Sequence, residues 1–294
     1  MCGPLMTTYR SRQSLVAMLQ RVQSARGRRR AGLFSIEGTR LIERALRAGA
    51  PLEAVLIADG LASHADPRYA ALLEALRSAG CTTMTAPDPV LSELTEGRDL
   101  GLMLGLVRMP APVSLGALLP GITDFDGGQE RPHGNEFHSS VLTPPLLLAA
   151  VEIVDPGNVG ALARTAHATG ATALLTVGAS DPFHPRATRI SRGSIFKLPV
   201  IEYSSAAALL SELQHHGIAL VGTAAAGGTP LGQMVWPRRG AAVLMGNEAE
   251  GLPLDVQAAL DYNVTIPMPA GVDSYSVNAA AAIVLYVAAQ SYRK

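Results

Sequence analysis

The 294 residues hold 24 basic and 24 acidic side chains, for no formal net charge, and 48% of them are hydrophobic. That is ample for a buried core, yet no apolar run approaches the roughly 20 residues needed to span a bilayer. Cys2 and Cys81 alone exclude a disulfide framework, and the first residues lack a signal peptide's apolar stretch, so a reducing cytoplasm is expected.

Residues 11–24 place Leu15, Val16, Met18, Leu19 and Val22 at helical spacing. Just beyond, Arg26-Gly27-Arg28-Arg29-Arg30 is the densest part of an uneven charge distribution. Residues 1–50 contain ten arginines against Glu37 and Glu43, which is +8; the other 14 basic and 22 acidic groups make −8. A clustered basic stretch is the footprint of a polyanion, so nucleic acid is the expected partner, with Arg28, Arg29 and Arg30 on its phosphates. Strands over 33–36, 53–58, 81–85 and 100–107 then alternate with helices over 39–48, 67–78 and 89–94. This makes a small α/β domain over residues 1–109.

Residues 110–144 read as a linker. Pro110, Pro112, Pro120, Gly121, Gly127, Gly128, Pro132 and Gly134 interrupt any period. His133 and His138 lack a third ligand, and no metal is expected there or elsewhere.

From 145 to 294 the alternation resumes, with strands over 146–154, 173–177, 218–222, 242–245 and 264–267. Helices are expected over 158–169, 206–215, 253–260 and 276–291. The pattern is that of an α/β domain with a mostly parallel sheet. The run over 146–154 is nearly continuous and apolar, as in a strand buried on both faces. Asp155-Pro156-Gly157 ends it with turn chemistry, Asn158 sits near the N-cap of the next helix, and Arg164 follows within two turns. Two later strand ends run into polar loops, Gly246-Asn247-Glu248-Ala249-Glu250-Gly251-Leu252 and Ile266-Pro267-Met268-Pro269-Ala270-Gly271-Val272-Asp273-Ser274-Tyr275-Ser276-Val277-Asn278. Ligands bind at the carboxyl ends of strands in open α/β sheets. Neither loop has Walker or dinucleotide spacing. The single Trp236 and few aromatics argue against base-stacking platforms.

These three stretches resemble, in order and spacing, the three motifs of the SpoU (TrmH-like) RNA 2′-O-ribose methyltransferases of the SPOUT superfamily. Asn158 to Ala166 resembles N-x-G-x-x-x-R-T-A, Gly246 to Leu252 resembles G-N-E-x-x-G-L, and Ile266-Pro267-Met268 begins the third, an I-P-M-x-G and S-L-N segment before an alanine-rich helix. Asp181-Pro182, Pro185-Arg186, Arg189-x-Ser191-x-Gly193, Phe196 and Leu198-Pro199 resemble the family's stretch after the first motif. Phe34-Ser35-Ile36-Glu37-Gly38 with Leu41-Ile42 resembles the start of the family's L30e-like RNA-binding domain. The resemblance covers residues 11–107 and 146–294.

The resemblance implies a trefoil-knotted methyltransferase domain over 145–294, one of the exceptions to unknotted chains, preceded by an L30e-like RNA substrate-binding domain over 1–109. It implies S-adenosylmethionine as cofactor, touched by Gly246, Ile266 and Tyr275 and by backbone around Thr223, Asn247, Leu252, Met268 and Ser276. It implies 2′-O-ribose methylation of RNA, with ribosomal RNA ahead of transfer RNA, by a homodimer whose active site lies at the interface. Asn158, Arg164, Glu248 and Ser276 are its expected catalytic residues, and Arg186 and Arg189 are expected on RNA phosphate. Arg164 is proposed in the family as a general base, but a guanidinium stays protonated. Holding the adjacent phosphate and stabilising alkoxide charge is the conservative role. One departure stands out. Where the family reads S-L-N-V-S, this chain has Ser274-Tyr275-Ser276-Val277-Asn278. Helical positions two apart point about 200° apart, so Asn278 is not expected to replace the missing asparagine simply. A non-catalytic RNA-binding protein is the competing class.

Overall fold

The computed structural model describes residues 9–62, 66–95, 102–119 and 144–293. Cys2, His133, His138 and the stretch 120–143 lie outside the described residues. The chain begins with α1 (Arg12–Arg21), α2 (Ala25–Ala31), β1 (Leu33–Glu37), α3 (Thr39–Arg47), β2 (Leu52–Ala58) and α4 (Asp59–Ala62). Next come α5 (Pro67–Ser78), β3 (Thr82–Ala86), α6 (Asp88–Leu94), β4 (Met103–Arg108), α7 (Leu115–Leu118) and β5 (Leu146–Val151). After them come α8 (Pro156–Thr169), β6 (Ala173–Val177), α9 (Pro185–Ile190), β7 (Val200–Tyr203), α10 (Ala206–His215) and β8 (Ala219–Ala224). The last elements are β9 (Thr229–Pro230), β10 (Ala241–Met245), α11 (Leu254–Ala258), β11 (Tyr262–Thr265) and α12 (Val277–Tyr292).

Two compact units form: Met1–Ala111 with Asp181–Lys197, and Pro112–Ser180 with Leu198–Lys294. The stretch Asp181–Lys197, expected within the C-terminal domain, therefore packs with the first unit. Its aromatic residues explain why. Phe183 and Phe196 set their rings 5.0 and 6.4 Å from that of Phe34 on β1, a range in which aromatic pairs attract beyond simple burial.

The first unit holds a four-stranded sheet in the order β1-β4-β2-β3. Strand β4 runs antiparallel to β1 and β2, and β2 runs parallel to β3. Helix α1 opens with a capping box in which Ser11 and Ser14 satisfy each other's amides, and it buries Leu15 and Leu19. The helix expected over 11–24 ends at Arg21, and a second helix, α2, follows it from Ala25. Ser24 caps α2 by accepting from the Gly27 amide at 3.1 Å. A Cβ on Gly27 would stand 1.9 Å from the Arg21 carbonyl oxygen, so only glycine lets the chain fold back this closely.

The second unit holds a seven-stranded sheet in the order β7-β6-β5-β10-β8-β11-β9, with every pairing parallel. Side chains of β5 alternate between two cores. Leu146, Leu148 and Ala150 meet α8 and α12 on one face; Leu147, Ala149 and Val151 meet α10 and α11 on the other. Both faces are thus covered, as the continuous apolar run requires. The expected linker contributes to this core: Ser114 caps α7, and Leu115 and Leu119 are buried in the second cluster. Among the described residues no helix is long and apolar enough to cross a membrane.

Candidate active site at three strand ends

Strands β10, β8 and β11 are neighbours and parallel, so their carboxyl ends open side by side. Thr223, near the end of β8, donates its hydroxyl to the Leu244 carbonyl at 3.5 Å and lies 3.6 Å from the Met245 sulfur. Gly246 follows β10. A Cβ there would stand 2.2 Å from the Gly251 carbonyl carbon, so glycine is what allows the loop to close on itself. Asn247 and Gly251 exchange both backbone hydrogen bonds at 2.9 and 2.8 Å. The Asn247 side chain accepts from the amides of Ala249 and Glu250 at 2.8 and 3.3 Å and donates to the Glu152 carbonyl at 3.1 Å. Glu152 has φ of 55°, a left-handed conformation costly for a non-glycine residue. It ends the strand expected to run to 154. The Leu252 side chain is buried among α10 and α11 side chains and anchors the loop, which leaves its backbone at the strand end. Ile266 and Met268 follow β11 and are half-buried, while Tyr275 is exposed.

The catalytic candidates meet in part. Asp155, not Asn158, caps α8, accepting from the Gly157 amide at 2.7 Å, with Pro156 at the first helical position. Asn158 therefore sits two residues further in. Its amide nitrogen donates to Glu248 Oε1 on the loop after β10. Its amide oxygen accepts from Asn278 Nδ2 at 2.8 Å. Asn278 Oδ1 is buried and has no partner among the described residues. Helices α8 and α12 pack against each other, which directs the second residue of α12 toward α8. Ser276 stays outside this chain and caps α12, accepting from the Ala279 amide at 3.4 Å. Asn278 is thus the residue that the sequence reading set aside. The available signal was a lone amide in the first turn of a helix built of alanine and aliphatic residues. Arg164 is exposed, and no partner is found for it among the described residues. It stands about 9 Å along α8 and about 120° around it from Asn158, so one chain does not bring the two together.

Residues 145–286 match the SpoU rRNA Methylase family, and residues 14–98 match the MRM3-like substrate binding domain. The 23S rRNA (guanosine-2′-O-)-methyltransferase RlmB of Neisseria meningitidis serogroup B is 33% identical over 175 residues, 59% of this chain and 70% of that one. This chain belongs to the SpoU rRNA methylase family. The 23S rRNA (guanosine(2553)-2′-O)-methyltransferase RlmP of Bacillus subtilis is 26% identical over 91% of this chain and 92% of its own. In the crystal structure of the SpoU methyltransferase AviRb of Streptomyces viridochromogenes with the cofactor AdoMet, identity is 25% and the TM-score 0.77. Coverage there is 96% of this chain and 98% of that one. The SpoU match takes in Asn158, Arg164, Glu248 and Asn278 together.

In this SpoU protein the basic candidates lie in the first unit, and the structure corrects one of them. Arg28 was expected on RNA phosphate, yet its side chain is 1% exposed. Its Nε and Nη2 donate to Asp181 Oδ2 at 2.8 and 2.5 Å, and its Nη1 donates to the Val22 and Gln23 carbonyls at 2.9 Å each. All three nitrogens of the guanidinium donate, so Arg28 holds the unit together. Arg29 and Arg30, the next two residues of α2, are exposed, as is Arg186 on α9. Arg189 is half-buried and pairs with the buried Glu37 at 3.0 Å. Among the described residues no three histidine, cysteine or acidic side chains assemble as a metal site.

Proposed function

We propose that this chain transfers the methyl group of S-adenosylmethionine to a ribose 2′-oxygen of ribosomal RNA. The carrying observation is the Asn278–Asn158–Glu248 chain, whose glutamate stands on the loop after β10, one of three adjacent strand ends. The relatives named for 2′-O-methylation of 23S rRNA support ribosomal RNA ahead of transfer RNA. The strand ends suit the cofactor: Thr223, Gly246, Asn247, Ile266 and Met268 offer backbone and small polar groups, with Tyr275 and Ser276 at the rim. AviRb, aligned over 96% of this chain, was solved with AdoMet.

When bound, the cofactor supplies a methyl group already activated on a sulfonium. The protein's share is then to orient the ribose hydroxyl in line and to stabilise charge as its proton leaves. The Asn158 amide has its orientation set at both ends, donating to Glu248 and accepting from Asn278. That arrangement fixes Glu248 without adding a positive charge beside it. Arg164 keeps its proton and serves as a donor, holding the phosphate next to the ribose and stabilising the developing alkoxide.

A homodimer belongs to this reading. On the outer face of α12, Ala282 and Tyr286 are exposed, Tyr286 at 61%, and Ile283 and Val287 beside them are half-buried. A helix apolar nearly all round calls for a partner on that face. A second copy there would also bring an Arg164 toward an Asn158 that its own α8 cannot supply. The same reading includes the trefoil-knotted path, supported by β10 lying between β5 and β8, and work in the cytoplasm.

The test is methyl transfer from labelled S-adenosylmethionine to large-subunit ribosomal RNA transcribed without modification, followed by mapping. One 2′-O-methylated nucleotide is expected. Labelling of transfer RNA alone would replace the substrate class. Cofactor binding with no transfer to any RNA would leave an RNA-binding protein and refute the enzyme.

A further inference from the structure

A cleft of about 280 Å³ opens in the first unit at the start of α3. Four of its lining residues are arginines: Arg40 and Arg44 from α3, Arg189 from α9, and Arg192 from the turn after α9. Glu37 is the one acid among the lining residues, so four positive groups less one negative leave +3. Glu37 is also engaged, since it accepts from Arg189 Nη1 at 3.0 Å. Arg44 Nη1 donates to the Arg192 carbonyl at 2.6 Å, which ties α3 to the turn after α9. The side chains of Arg40 and Arg192 are exposed and have no partner among the described residues.

The backbone adds to this field. Gly38 precedes α3 at φ of 90°, and no side chain caps the helix. The first-turn amides of a helix lack intrahelical acceptors and carry its positive dipole end. Arg192 holds φ of 52° beside Gly193 at 87°, and a Cβ on Gly193 would stand 3.1 Å from Arg44 Cβ. A left-handed non-glycine residue persists where its surroundings hold it, most often at functional sites. Here the left-handed turn brings Arg192 to the cleft that the other three arginines line. The lining has four arginines and no aromatic side chain, so charge dominates it, and the ligand group it suits best is a phosphate, read without regard to sequence.

We infer that this cleft is a phosphate site that grips the backbone phosphodiester of the RNA substrate. The inference rests on the RNA reading above and adds Arg40, Arg44 and Arg192 to the RNA surface. It is tested in the full chain with Arg40→Ala/Arg192→Gly. Glycine is at ease at φ of 52°, so the fold is not put at risk. The probe is large-subunit ribosomal RNA transcribed without modification, titrated at several salt concentrations. Each phosphate contact removed lowers the slope of log affinity against log salt by about 0.7–0.9. The double variant is expected to lose about 1–2 from that slope and to bind roughly tenfold more weakly at 0.1 M salt, with cofactor affinity unchanged. An unchanged slope overturns the inference. Inorganic phosphate that binds wild type but not the variant, with the RNA slope unmoved, would make this a small-anion site and also overturn it. The two readings fail separately. RNA binding through the cleft without methyl transfer would remove the proposed activity alone, and methyl transfer with an unmoved slope would remove the cleft alone.

Discussion

Replacing Arg28 by methionine separates a structural arginine from an RNA-binding one. Methionine fills much of the volume but strands three groups: the Asp181 carboxylate, 11% exposed, and the carbonyls of Val22 and Gln23. Removing one partner of a buried ion pair costs about 3–5 kcal/mol, and each orphaned carbonyl adds up to about 1–2 kcal/mol where water cannot reach it. These costs overlap, so about 4–5 kcal/mol is expected, a large share of the 5–15 kcal/mol typical of a domain. At about 3 °C per kcal/mol that is a drop of roughly 12–15 °C in melting temperature. Circular dichroism against temperature and urea reads the loss, and hydrogen exchange at the α2 amides localises it. Asp181→Asn in the same protein removes the stranded charge while its side-chain oxygen still accepts from the Phe183 amide, as Asp181 does at 2.8 Å. About half of the loss should return. The folded fraction of Arg28→Met should keep the wild-type salt slope for RNA. A stability loss below about 1 kcal/mol, or a slope lowered as by a phosphate contact, would refute the assignment.

Four further outcomes are expected. Arg164→Ala should abolish methyl transfer with cofactor affinity nearly unchanged by calorimetry; a collapse of that affinity would reverse the role given to Arg164. Asn278→Ala should lower kcat by about 10–100-fold with little change in the cofactor KM, since it removes orientation and not contact, and Asn278→Asp should restore little because a carboxylate cannot donate to the Asn158 amide oxygen. In Gly246→Ala the new Cβ, 2.2 Å from the Gly251 carbonyl carbon, should open the loop and weaken cofactor binding at least tenfold while the melting temperature of the first unit stays put. Burial, then Glu53, pushes the Cys81 thiol up from 9.0 to about 11, and burial followed by Glu53 raises the Tyr9 hydroxyl from 10.0 to about 12. Both folded values lie above the unfolded ones, so stability is full below pH 9 and falls as pH rises toward 11. Cys81→Ala should flatten the fall in urea midpoint between pH 9 and 11, and an unaltered slope would reject the burial argument.

Much of the second unit was legible because its signals are local. The nearly continuous run over 146–154 reads as a strand covered on both faces, and the alternation of side chains over Leu146–Val151 between two cores is what such a run requires. The motif loops could be placed at strand ends from turn chemistry alone. What escaped depends on partners distant in sequence. The fate of Arg28 was set by Asp181, 153 positions away, which no local charge count can see; an arginine run looks solvated until one member finds a buried acid. The helix expected over 11–24 stops at Arg21 and a second begins at Ala25, because Ser24 offers a cap and Gly27 allows an approach to the Arg21 carbonyl that only three-dimensional packing reveals. The same holds for Asp181–Lys197, whose proline and arginine pattern resembles a loop but whose Phe183 and Phe196 belong to the core around Phe34.

The third motif shows where a correct geometric premise led to an incomplete conclusion. Two residues on, a helical side chain does turn through about 200°, so Asn278 cannot occupy the place of Ser276. The premise said nothing about what lies in the new direction. Helix α12 packs against α8, and that direction is where Asn158 presents its amide oxygen. Ser276, shorter by an amide group, is taken by the helix itself as a cap. The two residues have divided the work: a serine starts the helix and an asparagine inside it orients the residue that holds Glu248. If this division is the chain's own arrangement, Ser276→Asn should not raise activity, because Asn278 already supplies the link to Asn158. Ser276→Asn combined with Asn278→Ser would have to rebuild the link to Asn158 from the other side. Activity of the double exchange equal to wild type would show the two positions interchangeable and sink the argument; activity as low as that of Asn278→Ala would show that the link from Asn278 is the one this site uses.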